Sequence, residues 1–316
     1  MSLLSGCAAT PQTHDLLARP PADLPPRVEL AATPFWPQER YQCGPAALAT
    51  VLNTQDVAVT PEQLVDAVYV PGLHGALSVE LSAAARRYGM LAYTLRPSLH
   101  DLLAEVAAGH PVLVLQNLGF AWPARWHFAV VIGYDLDSDA LLLRSGTTRR
   151  WRTTLATFER TWARGERWAL VVLQPGQMPA TVEPAAYLQA VHDLESISPP
   201  GAAVPAYRAG VQRWPRDAAA WLALGNALYA GGDYPNAQHA FRTATRVAPG
   251  DARGWNNLAY VLLKTGCPVQ ARHAAQCAAA LQPDDANYRD TVRDIEAAGR
   301  GGDAPGCLPV VCGPQT

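Results

Sequence analysis

The sequence predicts an α+β domain followed by an all-α domain of helical repeats. Three observations lead there. Helix signals crowd into residues 43–108 and strand signals into 111–174, the order expected of a mainly antiparallel sheet covered by helices. A proline-dense stretch, Pro175 to Pro184, interrupts both patterns. Beyond it a 34-residue period sets in, the mark of a repeat architecture.

The elements follow in order. Cys43-Gly44-Pro45 opens an apolar run to Asn53, and proline suits a first helical turn because no N–H is wasted there. Thr60-Pro61-Glu62-Gln63 starts a second helix with a cap, an early proline and an early acid; it runs to about Val70, where Pro71-Gly72 ends it. Ser78 caps a helix from Val79 to Tyr88 that Gly89 closes. Met90 to Leu95 alternates as a short strand, and Ser98 to Ala108 is helical up to Gly109. Pro111 to Gln116 is a continuous apolar run, as in a strand covered on both faces. His127 to Tyr134 is the next strand, Asp135 to Asp139 a turn, and Ala140 to Ser145 the return strand. A helix over Leu155 to Trp162 and a strand over Trp168 to Gln174 complete the sheet domain.

In the second domain Trp221-Leu222-Ala223-Leu224-Gly225 recurs 34 residues later at Trp255, Leu258 and Ala259, with Gly232 matching Gly266, Ala237 matching Ala271, Ala244 matching Ala278 and Pro249 matching Pro283. Tyr187, Tyr207, Gly210 and Pro215 make a degenerate earlier copy. The pattern is similar to tetratricopeptide repeats, helix pairs that stack because no pair buries its apolar face alone and that leave a concave surface for a peptide or protein. The expected boundaries are a flexible tether over 1–30, the α+β domain over 31–174, a linker over 175–185, repeats over 186–298 and a Gly/Pro/Cys tail over 299–316.

Composition fits two globular domains: 49% of the 316 residues are hydrophobic and 16% charged. A net charge of -2 gives no reason to expect nucleic acid or an anionic membrane surface as partner. Leu4-Ser5-Gly6-Cys7 resembles a bacterial lipobox, which implies a lipid anchor at Cys7, a Pro-rich tether from Pro11 to Pro26, and a place in the cell envelope facing the periplasm. With Cys43 set aside for chemistry, Cys267, Cys277, Cys307 and Cys312 remain, an even set that forms two disulfides in an oxidising compartment and stays as free thiols in a reducing one. No metal-ligand spacing is present, and no cofactor is expected.

A cysteine at a helix N-terminus meets orphan N–H groups and the positive end of the dipole, which favour a thiolate nucleophile. It then needs a base, and the base needs an orienting partner and an oxyanion donor. Of eight histidines, His14 lies in the tether, His192, His239 and His273 in the repeats, and His74, His100 and His110 at helix–loop junctions. His127 stands at the mouth of an apolar strand after the aromatic loop Phe120 to Trp126. Gln38 and Tyr41-Gln42-Cys43-Gly44-Pro45-Ala46, paired with His127-Phe128-Ala129-Val130-Val131-Ile132-Gly133-Tyr134, resemble the C39 peptidases over residues 31–174. These are papain-like cysteine proteases, known for cleaving double-glycine leaders, and the group includes lipoproteins with tetratricopeptide repeats.

The resemblance implies a papain-like cysteine peptidase domain with Cys43 as nucleophile, His127 as general base and acid, and Gln38 as oxyanion donor. Gln38 lies five residues before Cys43 where the family usually has six, so Gln42 stays open for that role. The family's orienting Asp, at the end of the strand after the His strand, has no counterpart. Asp135 is a poor substitute, about 25 Å along the strand from His127 at roughly 3.3 Å per residue, and Ser145 falls in the orienting place. The implied function is hydrolysis of a peptide or protein substrate recruited by the repeats, which also offer a surface to a protein partner. Two alternatives are a retired peptidase fold serving as a peptide-binding scaffold and a Cys–His acyltransferase.

Overall fold

The computed structural model describes residues 10–37, 42–70, 72, 75–120, 122–199, 201–299 and 301–313. The chain divides into two compact units, Met1–Ile197 and Ser198–Thr316.

The first unit is built on one seven-stranded antiparallel sheet wrapped by helices. Its first elements are α1 (Pro11–Ala18), β1 (Arg27–Glu29), α2 (Cys43–Asn53), α3 (Pro61–Val68), the short hairpin β2 (Tyr69–Val70) and β3 (Gly75–Ala76), and α4 (Ser78–Arg87). Then come β4 (Leu91–Thr94), α5 (Leu99–Ala107), β5 (Val112–Asn117), β6 (Trp126–Asp135), β7 (Ala140–Ser145), β8 (Thr148–Thr153), α6 (Leu155–Ala163), β9 (Ala169–Leu173) and α7 (Pro184–Glu195). The strand order is β4-β9-β5-β6-β7-β8, with β1 added against the far end of β6; all of these pairings are antiparallel. One core packs α2, α3 and α4 through Leu48, Leu52, Leu64 and Leu81 onto Leu113, Phe128, Val130, Ile132 and Val172 of the sheet. Burial of this kind supplies most of the driving force for such a layer. The helix starts follow their caps: Thr60 and Gln63 make a reciprocal capping box, and the Ser98 side chain accepts from the Asp101 amide. For α4 the cap position falls one residue earlier than expected, at Leu77.

Two expectations about flexible segments give way. The stretch read as a tether over 1–30 is built into the sheet domain from Pro11 onward. Helix α1 buries Thr13 and Leu16, and the carboxylate of the buried Glu159 accepts the N–H groups of Gln12 and Thr13 at 3.2 and 2.7 Å, satisfying orphan donors of the first turn. Proline density here sets turns rather than disorder. Past β9, the chain at Ala180 and Thr181 is tied to the fully buried Glu105, which accepts both backbone amides and the Thr181 hydroxyl. Helix α7 then stays with the first unit, where Asp193 pairs with Arg86 at 2.7 Å. Compact packing therefore carries past the proposed linker to Ile197. Strand β8 was not foreseen: Thr148 to Thr153 is a polar edge strand, almost wholly exposed, so it lacks the buried face that announces a strand.

The second unit is a run of helices: α8 (Val204–Arg213), α9 (Ala218–Ala230), α10 (Tyr234–Val247), α11 (Ala252–Lys264), α12 (Pro268–Leu281) and α13 (Ala286–Ala298). The 34-residue period is visible in its hydrogen bonds. Asp217, Asp251 and Asp285 each cap a helix by accepting the amide two residues on. Trp221, Trp255 and Arg289 each donate to the carbonyl of a proline six residues back. The tail is fastened by disulfides Cys267–Cys307 and Cys277–Cys312, with Cα separations of 5.7 and 5.5 Å, which resolves a pairing the sequence left open. Asp303 caps α12 by accepting the Val269 amide at 2.7 Å, and Arg242 donates to the Leu308 carbonyl at 2.7 Å.

Candidate functional site

Helix α2 begins at Cys43, with Gln42 at its cap position. The residue after the cysteine has to be glycine: a Cβ on Gly44 would lie 2.6 Å from the Ala76 Cβ of the β2–β3 hairpin. That close approach seats the first turn of α2 against the hairpin on one side and Phe128 of β6 on the other. The Cys43 sulfur is mostly enclosed, and burial raises its pKa; hydrogen bonds from the backbone N–H groups of Phe128 and Gly44 act in the opposite sense without cancelling it. The thiol thus touches the amide of the residue that follows His127.

His127 is the second residue of β6 and pairs across the sheet with Gln116 of β5. On the other side, β6 and β7 are in register at Val130 and Arg144, so Ser145 lies diagonally across from His127, on the same face of the strand pair. The Ser145 hydroxyl oxygen is 2.8 Å from His127 Nε2. With Nε2–H donating to Ser145, Nδ1 carries the free lone pair, which is the tautomer a base requires. No carboxylate among the described residues bonds this ring. Burial, with a smaller push from the Arg125 charge, drives the His127 pKa down to about 4.

These shifts correct one expectation. Helix position was expected to favour a preformed thiolate, yet burial outweighs the backbone N–H bonds to the sulfur, and a low-pKa imidazole offers no cation to pair with it. At rest the thiol and the imidazole are each in their neutral form.

Of the other candidates, Gln42 adjoins the nucleophile, whereas Gln38 and Tyr41 lie outside the described residues, as do His74 and Cys7. Asp135 sits at the distal end of β6, opposite Ala140, and accepts the Ser138 amide at 3.0 Å; it has no part in the site. Cys43 is the free cysteine among the described residues. No group of three or more His, Cys, Asp or Glu among those residues could hold a metal ion.

Two positioning residues escaped the sequence reading. Arg144, next to Ser145 and 4% exposed, donates to the carbonyls of Ala31, Thr33 and Arg149, tying the approach to α2 to the strand that carries Ser145. The Trp36 indole donates to Asn53 at the end of α2 at 2.9 Å. The available signal was a charge inside the apolar run Leu141-Leu142-Leu143-Arg144, since an arginine is buried there only when its donors are satisfied.

An antiparallel-sheet α+β domain carrying a cysteine at a helix start and a histidine near a strand start, followed by helix pairs of 34-residue period, defines the class of the chain. Comparison with known families agrees. Residues 25–169 match the Peptidase_C39 like family, and residues 190–237 and 222–287 match the tetratricopeptide repeat. No curated protein matches the chain. Among solved structures, a protein of Bacillus anthracis described as a C39-like peptidase is 20% identical, with 47% of this chain and 98% of that one covered and a TM-score of 0.40. A double glycine motif protease from an AMS/PCAT transporter, in complex with the leader peptide, is 22% identical over 44% of this chain and 89% of its own, at a TM-score of 0.34. The peptidase domain of Streptococcus ComA, a bi-functional ABC transporter, is 16% identical over 45% of this chain and 98% of its own, at 0.38.

Proposed function

We propose that the chain is a cysteine peptidase in which Cys43 attacks a peptide carbonyl and His127 moves the proton. One observation carries the reading: the Cys43 thiol accepts the amide of Phe128, while the adjoining His127 has Nε2 engaged by Ser145 and Nδ1 left for the thiol proton. With both groups neutral at rest, deprotonation accompanies attack: His127 takes the thiol proton as sulfur bonds to the carbonyl carbon. The oxyanion is held by the Cys43 backbone N–H and by Gln38 or Gln42. His127 then protonates the leaving amine, and water, activated by the same ring, releases the acid and restores the thiol. The repeats recruit the substrate or a protein partner. Two disulfides in the second unit support maturation in an oxidising compartment, in keeping with a periplasm-facing protein anchored through Cys7.

A second reading has its own support. An imidazole without a carboxylate and a thiol pushed upward also suit a retired fold that captures peptides. Incubation with a peptide library followed by mass spectrometry separates the two. The peptidase yields products with a new free carboxyl terminus that Cys43→Ala does not produce; acyl transfer yields amides instead. Binding without any product in either protein leaves the scaffold reading standing and removes the proposal.

A further inference from the structure

The loop between β5 and β6 is a built device that the proposed reaction does not use. Asn117, 3% exposed, accepts the Gly119 and Arg125 amides at 2.9 Å each and donates to the Phe120 carbonyl at 3.1 Å. The Leu118 amide donates to the Arg125 carbonyl at 2.8 Å and the Phe120 amide to Pro123 at 3.3 Å, closing the turn. A Cβ on Gly119 would lie 2.6 Å from the Pro123 carbonyl oxygen. On this base Phe120 is 79% exposed, Trp122 89% and Trp126, at the root, 56%.

Rings that far out do not line a groove, whose walls are covered by their neighbours. They project from a scaffold already fixed, so little ordering remains to be done on contact. A tip of Phe, Trp and Pro suits the interfacial layer of a bilayer, where indole rings settle at headgroup level. Local charge agrees. No acid occurs from Leu118 to Trp126. Arg125 and Arg164, the latter donating to the Asn117 carbonyl at 3.1 and 2.9 Å, make no ion pair among the described residues. Arg167 is taken up by the buried Glu159 at 3.9 Å, so Arg125 and Arg164 stand against Glu166 just past α6. The net charge of -2 over the whole chain hides this positive end of the sheet.

We propose that the described turn residues between β5 and β6 form a peripheral docking device that sinks Phe120 and Trp122 into a bilayer containing anionic phospholipid, with Arg125 and Arg164 facing the headgroups. Trp126 directly precedes His127, so a docked loop holds the candidate site at the bilayer surface, where the peptides within reach are membrane-adjacent ones. The proposal does not depend on hydrolysis.

The test is co-sedimentation of the full chain, carrying Cys7→Ser so that no acyl group attaches, with phosphatidylcholine vesicles and with vesicles also containing phosphatidylglycerol. The expected result is stronger sedimentation with the anionic vesicles, weakened by salt, with a blue shift of Trp emission. Phe120→Ser/Trp122→Ser lowers partitioning about tenfold or more. Both side chains stand in solvent, so the thermal unfolding and Cys43 alkylation rates of the variant match those of the parent. No sedimentation with either vesicle, sedimentation unchanged in the double variant, or rescue of the loop's role by a peptide or protein ligand alone overturns the proposal. Loss of peptide cleavage with vesicle binding intact removes the peptidase reading and leaves this one.

Discussion

His110 and His127 sit in the same sheet domain in opposite electrostatic company. His110 donates from Nδ1 to Glu105 at 2.8 Å. That carboxylate is fully buried and gathers three further donors from Ala180 and Thr181. Burial alone would raise the Glu105 pKa, but the bonds from His110, Thr181 and Ala180 outweigh it and leave it below the ordinary value. His127 has a hydroxyl at the same 2.8 Å distance, a cation nearby and a pKa near 4. The comparison teaches that negative charge is spent here on holding the chain together, while the candidate site keeps its imidazole neutral. A neutral imidazole is the form that accepts a proton at pH 7; what it forgoes is the stabilised imidazolium of a carboxylate-backed pair.

The largest expected effect tests the site side. Cys43→Ala or His127→Ala reduces kcat/KM for a cleaved peptide by roughly 10⁴-fold, while His110→Gln leaves it nearly unchanged; equal losses in both histidine variants break the comparison. On the structural side, Glu105→Ala leaves four donors without an acceptor and destabilises the first unit by about 3–5 kcal/mol, read as a drop of about 10 °C or more in Tm. A pH series sharpens the contrast. Because the folded-state pKa of His127 lies at about 4 against an ordinary 6.5, the unfolded chain binds the proton first, and stability falls as pH drops through that window. The loss amounts to at most about 3 kcal/mol and is absent in His127→Gln. Glu105 contributes in the opposite half of the range, its stabilisation present above 4.5 and lost below it, so pH 6.5 to 4.5 isolates His127. The smallest effect belongs to Ser145. Ser145→Ala lowers kcat/KM about fivefold through one lost hydrogen bond, whereas Ser145→Asp raises the His127 pKa, visible in its NMR titration. An unshifted titration in Ser145→Asp shows that the hydroxyl is not the partner that sets the ring.

Local chemistry explains what could be read in advance. Thr60-Pro61, Ser98 and the glycine stops carry their own backbone logic, and the 34-residue period repeats one packing solution, so both domains were legible. Cys43 and His127 stood out because a Cys-Gly-Pro helix start and a histidine before an apolar strand are local patterns. What stayed hidden depends on long-range partners. Proline-rich residues 11–26 look disordered until Glu159, 146 residues beyond Thr13, caps their helix. Arg144 looks misplaced in an apolar strand until Thr33 and Ala31 supply its acceptors. The neutral state of the Cys–His pair depends on how completely the fold encloses it, and enclosure is not written in any short motif.

The covalent fastening of the tail has a practical consequence for anyone handling the protein. Among the described residues, Cys43 alone is a thiol, while Cys267, Cys277, Cys307 and Cys312 exist as bonded sulfur. Strong reductant added to protect the one would unfasten the others, and strong oxidant added to preserve the strap would cap the nucleophile. An assay therefore needs a redox buffer mild enough to leave Cys43 reduced and the two tail disulfides intact.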